Sequence, residues 1–162
     1  MLNLLEIVDL QKKLDDSIHN KHQKTYEETF RHRKLALLVE LGELANEVRS
    51  FKYWSIKPAS PNEVILEEFV DCLHFTVSLG IGMDIKFNEL QISERQTDDI
   101  NLLFIETIDS VVKLDSINNK TYYTMFDYIF SLAKELGFNS NEIFDSYINK
   151  NKINHKRQEN SY

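Results

Sequence analysis

Apolar residues recur along most of the chain at the three- and four-residue spacing of helices. Residues 2–18 carry Leu4, Leu5, Val8, Leu14 and Ile18 and read as a first helix. Residues 19–24 are polar and read as a loop. Thr25 and Glu28 then have the spacing of a capping box, which predicts a long helix from there to about Phe51. Its stripe is Leu37, Leu41, Leu44, Val48 and Phe51. Residues 52–59 break the pattern. Ser60 as cap, Pro61 at the first helical position and Glu63 in reply predict a third helix, ended by Gly80 and Gly82. That helix is apolar on most sides, as expected of one in the middle of a bundle. Further helices are expected over about 97–114, 120–136 and 140–158, with Gly137 stopping the fifth and Ser140 capping the sixth.

Composition supports this reading. Four glycines, two prolines and few alternating Val/Ile/Thr runs argue against a sheet. The expected fold class is all-α: about six helices in a bundle, forming one domain over residues 1–162. The chain carries a net charge of −7, with a pI near 5.2. An acidic surface repels nucleic acid, so no nucleic-acid partner is expected. No apolar run reaches membrane-span length, and residues 1–6 lack a basic region before an apolar one. Neither a membrane partner nor a signal peptide is expected. The single cysteine, Cys72, lies in an apolar run and reads as a core residue. A chain without a possible internal disulfide suits the cytoplasm.

The chemistry is carried by two carboxylate pairs, Glu40/Glu43 and Glu68/Asp71. Residues three apart on a helix are neighbours on one face, so each pair can aim at a common point. Counted from the predicted helix ends at Phe51 and Pro61, the pairs lie roughly 12 and 10 Å along their helices. In an antiparallel hairpin they stand almost level. Four carboxylates at one level cannot all stay ionised without cations. Mg²⁺ prefers oxygen ligands and leaves positions for water and phosphate, and two or more ions could activate a water and neutralise a triphosphate. The alternative is a solvated acidic surface. A second alternative, a di-iron site at Asp71 and His74, lacks the matching step on another helix.

Three stretches resemble the dimeric, all-α dUTPase family of the MazG-like pyrophosphohydrolase superfamily. They are residues 39–47, Phe51-Lys52-Tyr53-Trp54, and Glu68 through Phe75. Two terminal runs add to the match: Gln11-Lys12-Lys13-Leu14-Asp15, and Lys150 through Gln158 in the pattern K-N-x-x-N-x-x-R-Q. Asp15 stands where the family often has Asn.

The resemblance implies a homodimer that converts dUTP to dUMP and pyrophosphate, with dUDP, which would give dUMP and phosphate, as a second candidate substrate. Glu40, Glu43, Glu68 and Asp71 would be the catalytic metal ligands, with Glu43 the candidate base. Lys150 and Arg157 would hold phosphate oxygens. Gln11, Trp54, His74, Phe75 and Asn154 would shape the nucleoside pocket. The residues themselves leave other readings open. Phe75 can pack on a neighbouring helix, His74 can be a satisfied bundle-edge residue, and Trp54 can plug the core. The basic C-terminal run can simply compensate a helix dipole. Another base, such as that of dCTP, and a non-enzymatic helical module that binds a regulatory protein are the competing functions. The apolar sides of the third helix are the sequence's own contribution to the homodimer.

Overall fold

The computed structural model describes residues 2–93, 95 and 97–160. Six α-helices account for nearly all of the regular structure: α1 (Leu4–His22), α2 (Phe30–Val48), α3 (Asn62–Gly82), α4 (Ile100–Val112), α5 (Asn119–Glu135) and α6 (Ser140–Glu159). A single short 3₁₀ turn, Phe87–Glu89, follows α3, and no strand occurs among the described residues. The all-α expectation holds. No helix among those residues is long and apolar enough to cross a membrane.

α3 is the axis of the bundle. Phe69, Val70, Cys72, Leu73, Val77 and Leu79 are fully buried along it. It touches α1, α2, α5 and α6. Its apolar sides are therefore spent inside the chain and are not available to a second copy. Side-chain pairs set the helix directions. Gln11 meets His74 and Asp15 meets Ser78, so α1 runs parallel to α3. Gln11 also meets Tyr147, and Lys21 donates to the Gln158 carbonyl, so α6 runs parallel to α1. Arg33 meets Ser78 while Glu40 lies beside Asp71, so α2 is antiparallel to α3. α4 and α5 pack on the far side, α4 against α2 and α5 against α3.

Several helix ends differ from those read from sequence. The Thr25/Glu28 box forms, with Glu28 N donating to Thr25 Oγ1 and Thr25 N to Glu28 Oε2. It heads a turn rather than α2, which begins at Phe30. The Arg33 guanidinium takes the Tyr26 carbonyl at 2.5 Å, and the Phe30 amide, its helical partner, turns to Glu27 instead. α2 stops at Val48 because Arg49 enters the left-handed region at φ 62°, leaving Phe51 outside the helix. Ser60 does not cap α3; its hydroxyl donates to Glu47. Asn139, not Ser140, caps α6, in a capping box with Glu142. α1 continues through the polar stretch to His22.

Two glycines have defined reasons. Gly137, at φ 79°, closes α5 as expected, with the Phe138 amide donating to the Ala133 carbonyl and that of Gly137 to Lys134. Gly80 does not end α3. A Cβ there would lie 2.6 Å from ring carbons of Tyr122 and Phe87, so the missing side chain lets α5 close on α3.

Candidate active site

Glu40 from α2 and Glu68 and Asp71 from α3 bring carboxylate oxygens within 4.8 Å of one another, all half-buried. Because α2 ends early, Glu40 lies eight residues before Val48, and Glu68 lies six after Asn62. The two levels still match across the hairpin. Burial, together with the charges of Asp71, Glu43 and Glu68, raises the Glu40 carboxyl to about 7. Burial first, then Asp71 and Glu43, raises Glu68 as well. Asp71 is raised by burial, against the pull of Lys150. Glu68 Oε2 is buried and has no hydrogen-bond partner. Three crowded carboxylates with an orphaned oxygen form a donor set suited to a hard divalent cation. Glu43 is exposed and stands outside the trio, although its charge reaches Glu40 and Glu68. Cys72 lies fully buried beneath the carboxylates, its thiol pushed up by burial, as a core position requires.

From Asp71 a cleft of about 580 Å³ runs between α1, α2, α3 and α6. Gln11, His74, Phe75, Asn154 and Arg157 all line it. Lys150 does not. Its ammonium lies 2.6 Å from Asp71 Oδ2 and 2.9 Å from Glu67 Oε1, at the edge of a second hollow between α3 and α6. Burial alone would lower the Lys150 pKa, but these two carboxylates carry it upward. Trp54 is also outside the cleft. It is 66% exposed in the α2–α3 loop and meets Phe51 and Tyr53 edge-on. It is neither a pocket wall nor a core plug in this chain.

Sequence reasoning placed Gln11 and His74 at the nucleoside pocket but missed Arg33, Ser78 and Tyr147, which join them in the floor of the cleft. Asp15 is buried and accepts from Gln11 Nε2 at 2.8 Å and Ser78 Oγ at 2.6 Å. Arg33 Nη1 donates to both Ser78 oxygens, and its ring contact with Tyr26 holds it in place. Gly82 leaves room for this guanidinium, which a Cβ would approach to 2.9 Å. Gln11 Oε1 accepts from Tyr147 OH at 2.5 Å and lies 2.7 Å from His74 Nδ1. The His74 ring stacks on Tyr147, with centroids 4.1 Å apart. The sequence signals for this group were the motif stretches that hold Gln11, Asp15 and His74. The other members come from helices distant in the chain.

A model of the family described as dUTPase matches residues 3–162. No curated protein matches the chain.

Proposed function

The chain belongs to the all-α dimeric dUTPase family and is a nucleoside triphosphate pyrophosphohydrolase; from that premise we propose that it converts dUTP to dUMP and pyrophosphate with Mg²⁺. The carboxylate trio at one end of a nucleoside-sized cleft is the observation that carries this reading. Glu40, Glu68 and Asp71 fit the metal as ligands. Bound there, Mg²⁺ supplies an acidified water and charge neutralisation for the triphosphate. Glu43, exposed one turn from Glu40, is the carboxylate left to take the proton from the attacking water and to serve a second ion. Arg157, whose planar guanidinium matches phosphate geometry, reaches the cleft from α6. Lys150 stands close enough to Asp71 to meet the same phosphates. Phe75 offers a ring beside the site on which a base can stack.

The homodimer has a candidate face. α2 exposes Leu35 and Val39, and α4, packed against it, exposes Leu102, Ile105 and Val112. Paired apolar rows of this kind mark interaction surfaces.

The deciding experiment is Mg²⁺-dependent pyrophosphate release from dUTP, dCTP and dTTP, with phosphate release from dUDP as a fourth arm. Preference for dUTP supports the proposal. Preference for dCTP keeps the chemistry and changes the base. Release from none, with no Mg²⁺ binding, favours the interaction module.

A further inference from the structure

The floor of the cleft is a chain of hydrogen bonds whose direction is fixed at one end. Arg33 can only donate. Its Nη1 lies 3.3 Å from Ser78 Oγ, so that oxygen accepts, and its own proton points to Asp15 Oδ2 at 2.6 Å. The other Asp15 oxygen accepts from the Gln11 amide nitrogen at 2.8 Å. Gln11 is thereby oriented with its carbonyl oxygen toward Tyr147 and His74. A carbonyl cannot donate, so His74 Nδ1 must carry the proton in this bond. The remaining ring nitrogen, Nε2, is then an acceptor. It is buried, His74 is only 5% exposed, and Nε2 finds no partner in the protein. His74 lines the cleft.

We propose that Asp15 is a positioning residue that sets the polarity of His74 through Gln11, so that the cleft wall offers an acceptor and selects a ligand carrying a hydrogen-bond donor. This rests on the nucleotide reading above and sharpens it. On a deoxyuridine nucleotide the donor is the base N3–H or the sugar 3′-OH. Cytosine carries a lone pair at N3 and would meet the acceptor with repulsion if the base edge faces His74. Turning the Gln11 amide over would reverse the wall: His74 would then carry its proton on Nε2 and become a donor. An ionised Asp15 opposes that, because the Gln11 oxygen would face a carboxylate. Burial raises the Asp15 pKa overall, against Ser78, Gln11 and Arg33, which favour its charged form. Burial also holds His74 down to about 3, so the ring stays neutral at physiological pH.

The first test needs no substrate. Long-range ¹H–¹⁵N spectra of the free protein report which ring nitrogen of each histidine is protonated, with His74→Gln supplying the assignment. A neutral His74 protonated on Nδ1 is expected; protonation on Nε2 overturns the proposal, whatever the enzyme's activity. Asp15→Asn keeps an acceptor toward Gln11 and should leave the tautomer unchanged, whereas Asp15→Leu should shift it toward Nε2–H. An unshifted tautomer in a folded Asp15→Leu protein also overturns it. The second test compares the binding of dUTP, N3-methyl-dUTP and 2′,3′-dideoxy-UTP in Ca²⁺. Loss of about tenfold or more in affinity for one analogue, as removal of one buried hydrogen bond implies, identifies the donor. Equal affinity for all three overturns the recognition role. If no nucleotide binds, the dUTPase reading fails while the tautomer result stands on its own.

Discussion

Lys150 Nζ lies 2.6 Å from Asp71 Oδ2, so the positive charge that faces the carboxylate trio in the protein itself comes from the C-terminal helix. Asp71 is therefore shared between two partners, its own carboxylate cluster and α6. Removing the ammonium leaves the cluster with less compensation. Lys150→Met is expected to lower the metal-free melting temperature by roughly 2–4 °C, the shift that about 1 kcal/mol produces at this size. Added Mg²⁺ should recover most of that loss, because it replaces the missing charge. Paired melts with and without Mg²⁺ check this, and an unchanged metal-free melt would count against the compensating role.

Asp71→Asn is expected to reduce turnover by more than about 100-fold, since even outer-shell partners of a metal ligand cost 10- to 100-fold. The fold should survive, because the amide keeps the shape of the side chain and one acceptor for Lys150. Pyrophosphate release, read beside circular dichroism, separates the two effects.

His74 gives the stability curve a definite sign. Its ring is held near 3 in the folded protein, against an ordinary value of 6.5. A depressed pKa means stability that is present above about 6.5 and lost as pH falls toward 3. Denaturant titrations should show wild-type stability falling more steeply between pH 6.5 and 4 than that of His74→Gln. Parallel slopes would contradict the burial of a neutral imidazole.

Gly80→Ala puts a methyl group into the contact of α3 with Tyr122 and Phe87. Over-packing of a tight core costs about 1–3 kcal/mol. The variant should unfold at lower denaturant with an unchanged m-value.

Ile105→Glu places a charge in the exposed row of α4, where the residue is 63% exposed. If the proposed dimer forms through this face, the variant should elute as a monomer in light-scattering chromatography where the wild type elutes as a dimer. A dimer unaffected by this change would place the interface elsewhere.

What the sequence disclosed depends on how local each signal is. Helices were readable because apolar spacing repeats within one element, as in Leu37, Leu41 and Leu44. Their ends were less so. α2 starts late because Arg33 captures a carbonyl from the turn before it, and Ser60 is diverted by Glu47, a residue on another helix. The carboxylate pairs were visible because each lies within one helical turn. Glu43 shows the limit of that argument: a three-residue step fixes a face, but the rotation of α2 against α3 decides which carboxylate turns inward. The Arg33–Ser78–Asp15–Gln11–His74 chain draws on three helices, and no spacing rule predicts it. Trp54 was placed by resemblance to a motif, and its loop holds it away from the cleft.

α6 meets the site twice, through Tyr147 on Gln11 and through Lys150 on Asp71, contacts that span 136 and 79 residues. Neither the Tyr147 bond to Gln11 nor the compensated carboxylates can form until α6 has docked. In a chain made from its N-terminus, the hairpin that carries the acidic trio is finished well before that moment. Whenever α6 is undocked, the acidic hairpin lacks the counter-charge its own chain supplies, and a divalent cation would be the substitute.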